Sequence, residues 1–150
     1  MKKLFAMILA VLTVCAFISG CSKKTDVKSL KNGSYSCDVK VNGQKESDSI
    51  KSPVTVQLNN GSATATIVWK TRAVEYMVVK GERYDPINAS TETVGGNSQK
   101  NYPVFVIPMD FDMDFPVSAL NRDADAENLT EYILYFTSST MSASDNTRRE

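Results

Sequence analysis

The chain has no histidine, and that single absence removes a large part of enzyme chemistry. Neither a Ser-His-Asp nor a Cys-His pair can be assembled, and no zinc site with an imidazole ligand can form. Cysteine is scarce, with three in 150 residues. Cys15 and Cys21 fall in the apolar N-terminal region, so Cys37 stands alone in the remainder and has no partner for an internal disulfide. Charge of one sign is lacking too, because 17 basic side chains offset 17 acidic ones. The molecule as a whole has no pull toward a polyanion, and no nucleic-acid partner is expected. The nucleophile elbow, the P-loop, the Ser-x-x-Lys pair, CxxC and the EF-hand loop are all missing. A catalyst is therefore not expected. What is present is a globular composition, 42% hydrophobic and 23% charged, of a length that suits one ordinary domain.

The N-terminus has the layout of an export signal. Lys2 and Lys3 precede an uncharged run from Leu4 to Ile18. That run is shorter than the roughly 20 apolar residues of a lone spanning helix, so a cleaved signal over residues 1–20 is the better reading. It ends in Ile18-Ser19-Gly20-Cys21, which resembles the bacterial lipobox. The resemblance implies cleavage before Cys21 and acylation of its sulfur. Two or three acyl chains hold a protein on a bilayer where one would be marginal. The expected location is the extracytoplasmic face of the cell membrane, with the protein anchored in the lipid bilayer through Cys21. Residues 21–32 then read as the lipidated cysteine and a polar, lysine-bearing flexible tether, and residues 139–150 as a frayed polar tail.

Between those ends, over residues 33–138, the hydrophobic period is two. Tyr35-Ser36-Cys37-Asp38-Val39-Lys40-Val41 alternates as one half-buried strand closed by Asn42-Gly43. Pro53 to Leu58 alternates again, and Asn59-Asn60-Gly61 is a hairpin signal. The return strand, Ser62 to Trp69, puts Ala63, Ala65, Ile67 and Trp69 on one face, with Trp69 the candidate core aromatic. Ala73 to Lys80 reads as an interior strand, and Arg83-Tyr84-Asp85, closed by Pro86, as an edge. Asn88 to Asn101 reads as a long polar loop, followed by strands at Tyr102–Ile107, Phe115–Leu120 and Leu129–Ser138. No helical period persists for ten residues after the signal. Seven or eight short strands predict an all-β antiparallel sandwich, immunoglobulin-like in topology, with a small closed barrel as the rival.

Two groups of residues carry candidate chemistry. In the run from Pro108 to Phe115, strand spacing would put Asp110, Asp112 and Asp114 on one face at about 7 Å repeats, a weak candidate for a hard cation such as Ca²⁺. The alternative is a solvated rim over a buried Phe and Met face. Asp123-Ala124-Asp125-Ala126-Glu127 alternates like a calcium loop but lacks its glycine and later glutamate, and reads as a solvated loop. The second group is Tyr76, Met77, Tyr132 and Tyr135. Tyrosinate and thioether sulfur are both haem-iron ligands, and the same residues are ordinary sandwich components.

The order of signatures resembles the NEAT (near iron transporter) domain of bacterial surface haem-uptake proteins. The resembling stretches are Tyr35–Val41, Val54–Val68 with its Asn59-Asn60-Gly61 turn, the hairpin Val79–Tyr84, Val104–Pro108, and Glu131-Tyr132-Ile133-Leu134-Tyr135-Phe136. The resemblance spans residues 33–138. It implies an immunoglobulin-like sandwich that catches haem and passes it to an ABC transporter or to other surface haem or iron proteins. That family's ligand motif is Tyr-x-x-x-Tyr at the last hairpin. Here Tyr132 and Tyr135 are three apart, Asn128 stands four before Tyr132 and Glu131 four before Tyr135. Either another group, such as Met77, ligates haem, or the module binds something else. The competing expectation is a cell-surface module for a protein or glycan partner, with no cofactor.

Overall fold

Strand alternation becomes two facing sheets in a computed structural model, which describes residues 26–45, 47–94, 98–122 and 129–144. The signal, Cys21, and the Asp123–Glu127 segment lie outside the described residues. One sheet has the order β11-β1-β3-β4-β8-β7 and the other β2-β10-β9-β5-β6. The ranges are β1 Gly33–Cys37, β2 Val39–Val41, β3 Val54–Asn59, β4 Ser62–Val68, β5 Val74–Val79, β6 Glu82–Tyr84, β7 Asn88–Val94, β8 Ser98–Pro108, β9 Phe115–Asn121, β10 Thr130–Phe136 and β11 Ser142–Ala143. Every strand pair is antiparallel. The result is an all-β immunoglobulin-like sandwich. Among the described residues it is two open sheets and not a closed barrel.

The pleat sets the core. In β3, Val54, Val56 and Leu58 are buried while Thr55, Gln57 and Asn59 are exposed. Across the hairpin, Val56 pairs with Ala65 and Leu58 with Ala63, so the small alanines sit beside larger neighbours on the inner face. The turn is two residues, with Asn60 at φ 48° and Gly61 at φ 82°. Asn and Gly tolerate this left-handed backbone, and its twist matches that of the flanking strands. Ile67, Phe105 and Ile107 from one sheet and Met77, Leu134 and Phe136 from the other are fully buried. Each such side chain contributes about 1.5–3 kcal/mol of transfer free energy. Phe115 and Phe136 meet edge to face at 6.1 Å. This burial holds the domain without a disulfide. Cys37 is a free thiol sealed in the core, where burial raises its pKa to about 11.

Four expectations change. The single strand Tyr35–Val41 is two: Asp38 breaks it, and β1 and β2 join opposite sheets. The buried-in-step pattern continues through the break, so alternation alone does not reveal it. The Asp38 carbonyl accepts from Thr137 N at 3.0 Å, and its N–H donates to Thr140 Oγ1 at 2.9 Å. The long polar loop at 88–101 is instead the β7–β8 hairpin, paired from Asn88 opposite Val104 to Val94 opposite Ser98. Its backbone ladder forms without the hydrophobic alternation that marks the other strands. The polar tail is tied down through residue 144. Tyr35 pairs with Ala143, and Ser144 N donates to Ser34 O at 3.0 Å. The tether also docks, as Val27 and Leu30 pack against the core cluster around a short 3-10 turn. With these additions the strands among the described residues number eleven rather than seven or eight.

Candidate ligand-binding site

The walls of the candidate site are built by backbone hydrogen bonds between three segments at one end of the sandwich. Beyond β4 the chain passes Trp69, which bridges to Ile50. Lys70 N donates to Ser49 O at 2.8 Å and Lys51 N to Val68 O at 2.9 Å, so the 49–51 segment lies along the end of β4. Arg122 N donates to Ala73 O at 2.6 Å, tying the end of β9 to the entry of β5. These ties set Asp48, Ser49, Thr71, Ala73 and Asn121 around Trp69 and Tyr132 in an open cleft of 560 Å³.

Tyr132 is the tyrosine that β10 turns inward. Tyr132, Leu134 and Phe136 share the inner face, while Ile133 and Tyr135 face out. Its ring meets Trp69 edge to face, with centroids 5.0 Å apart and planes at 71°. Trp69 is 1% exposed, and its indole N–H donates to Met77 Sδ at 3.3 Å. A buried indole needs such an acceptor, and a thioether is a weak one. The chain thus runs from a half-buried phenol at the cleft, through a buried indole, to a buried sulfur.

That arrangement separates the four residues singled out from sequence. Met77 is fully buried and already accepts a hydrogen bond, so its sulfur is not available at any surface cleft. Of the two readings left open for Met77, ligand or ordinary sandwich component, the structure has the second: it is in step with Val79 on the core face of β5. Tyr76 lies half-buried under the Arg83 guanidinium, which stacks on its ring at 4.0 Å. Tyr135 lies on the outer face of β10, with Lys40 Nζ 5.6 Å from its ring centroid. It borders a separate cleft of 400 Å³ with Ile133, Asp112 and Asp114. The structure therefore brings only Tyr132 of the four to the Trp69 cleft. Sequence reasoning named Trp69 as core but missed Ser49, Thr71 and Asn121, which carry no motif and converge only through the fold.

The acidic run also departs from expectation. Asp110, Asp112 and Asp114 do not line one strand face, because the chain bends between Met109 and Phe115 with Asp112 at φ 55°. Asp110 pairs with Lys80 Nζ at 2.9 Å on the surface. Asp112 turns inward, accepting from Ser138 N at 3.0 Å and from the Ser138 hydroxyl. Asp114 stays exposed. Among the described residues no cluster of three acidic or sulfur ligands is placed to hold a metal ion. The charge repeat that suggested a cation site is spent on an ion pair, a turn and solvent. The described residues also contain no helix long and apolar enough to cross a membrane.

Comparison with known proteins rests on shape. No protein-family model matches the chain, and no curated protein matches it in sequence. Among solved structures it is similar to the NEAT5 domain of IsdX2, a B. anthracis hemophore, solved in complex with heme. The TM-score is 0.50 at 16% identity, over 71% of this chain and 96% of that one. A mutant of the same domain, also in complex with heme, gives a TM-score of 0.51 at 18% identity with the same coverage. The domain is NEAT-like in fold.

Proposed function

We propose that this NEAT-like domain is a non-catalytic binding module that takes haem at the Trp69–Tyr132 cleft. In this reading it is held on the outer face of the cell membrane by a lipidated Cys21. It hands its ligand to an ABC transporter or to another surface haem or iron protein. The observation that carries the reading is Tyr132: the inward-facing tyrosine of β10 stands at an open cleft, braced by a buried tryptophan. The fold it sits in is shared with domains described as holding heme.

The chemistry of the cleft suits that cargo. Its 560 Å³ falls within the roughly 300–1,000 Å³ of ordinary ligand pockets. The Tyr132 ring, braced edge to face by the buried Trp69, is the aromatic surface the cleft offers a flat apolar ligand. The Tyr132 phenol is the one group of a haem-ligating type that lines it. Ser49, Thr71 and Asn121 add hydrogen-bonding groups at the rim. Without a second tyrosine four residues away, Tyr132 acts without the partner that would hydrogen-bond its phenolate.

Adding haemin to the protein at micromolar concentration should shift and sharpen the Soret band. An unchanged band would end the haem reading. Mass spectrometry of the matured N-terminus should find an acylated Cys21, and an unmodified thiol there would remove the anchor. A second reading draws on the outer cleft. Ile133 is 37% exposed beside Tyr135, and Met113, between two lining carboxylates, is 52% exposed. Such a surface suits a protein or glycan partner and no cofactor. It is the reading that remains if haemin does not bind.

A further inference from the structure

The arginines of the domain are concentrated in one place. Lysines are scattered over the described surface, but its only three arginines, Arg72, Arg83 and Arg122, line a single groove of 570 Å³. They come from three segments far apart in sequence: the loop before β5, strand β6, and the residue after β9. No lysine lines the groove, and Glu75 is its one carboxylate. We propose that this groove is a binding site for a small organic anion, a carboxylate or phosphate group carried on an apolar body.

The donors are arranged and underused. Arg83 is held in place from two sides, with Nε and Nη2 donating to Asp85 Oδ1 at 2.9 and 2.7 Å and the guanidinium carbon 4.0 Å from the Tyr76 ring centroid. Its Nη1 makes no hydrogen bond to any described residue. Arg122 Nε lies 3.5 Å from Glu75 Oε1, longer than the 2.7–2.9 Å or so of a charge-assisted bond, while its backbone N–H fixes the residue to Ala73. Arg72 makes no hydrogen bond or ion pair with any described residue. A guanidinium presents planar paired donors that match two oxygens of one carboxylate or phosphate, which a lysine ammonium cannot do. The remaining walls include Val74, Pro86 and Pro103, which accounts for the apolar body. The groove lies beside the Trp69 cleft but is lined by different side chains, so the inference stands apart from the haem reading.

The test is an NMR titration of the full chain with inorganic phosphate, hexanoate and hexyl phosphate, against sodium chloride at matched ionic strength. The amides of residues 72–75, 83–85, 102, 104 and 122 should move together. The hexyl compounds should bind more tightly than bare phosphate, and the tighter of the two identifies the anionic head. Arg72→Gln should weaken binding by about tenfold, and Arg72→Lys, which keeps the charge and loses the fork, by several-fold. Tyr132→Phe should leave it unchanged. Chloride reproducing the shifts would overturn the proposal. So would Arg72→Gln binding as tightly as the parent while retaining its thermal midpoint.

Discussion

Tyr132 and Tyr135 belong to the same short strand and are the same residue type, yet the structure gives them different surroundings. Tyr132 points between the sheets, where Trp69 braces its ring and a cleft opens beside it. Tyr135 points outward, under a lysine, beside two aspartates. An odd spacing on a strand separates faces, and the face decides the chemistry. The inner tyrosine is anchored by the core beside an open cleft. The outer one is a surface ring whose surroundings are solvated and adjustable.

The contrast can be broken most violently at its support. Trp69→Ala removes a buried indole and leaves both Tyr132 and Met77 without their neighbour. It should cost about 3–5 kcal/mol in urea unfolding, and any protein that remains folded should lose the inner cleft while keeping the outer one. Next in size is Ser138→Ala. Ser138 is fully buried and its hydroxyl donates to Asp112, so the change leaves a carboxylate short of a donor. About 1–3 kcal/mol is expected by the same measurement, with disturbance felt at the outer cleft and not at Trp69.

A smaller effect is confined to alkaline pH. Cys37 has its folded pKa raised to about 11 from 9.0. The neutral buried thiol therefore contributes its full stabilisation below pH 9 and loses it as pH rises toward 11. Against Cys37→Ala, the parent should lose about 1 kcal/mol by pH 10, and iodoacetamide should leave the native thiol unlabelled at pH 8. Smallest of all, Lys40→Ala removes a cation from the exposed Tyr135 ring. The expected change is about 0.5–1 kcal/mol, with no effect on the inner cleft.

Much of the fold could be read from period two. Val54, Val56 and Leu58 announced their face, Asn60-Gly61 its turn, and Pro86 the end of an edge strand. The β7–β8 hairpin could not be read that way, because backbone pairing builds it while its sequence is polar. The break at Asp38 was hidden because burial stays in phase across it. Met77 was open to two readings: as a residue type it suits a ligand, but its place in step with Val79 commits it to the core. The opposite orientation of Tyr132 and Tyr135 followed from their spacing alone. The cleft itself did not, because Ser49, Thr71 and Asn121 meet only through backbone ties between distant segments. Nor did the arginine groove, although the scarcity of arginine beside abundant lysine is a signal that sequence offers and that three-dimensional placement makes meaningful.

The most direct test of the account is a paired haemin titration of Tyr132→Phe and Tyr135→Phe, followed at the Soret band. The account predicts that Tyr132→Phe weakens haemin binding by at least about tenfold and moves the band, while Tyr135→Phe stays within about twofold of the parent. Equal effects from the two substitutions, or a larger effect from Tyr135→Phe, would contradict it.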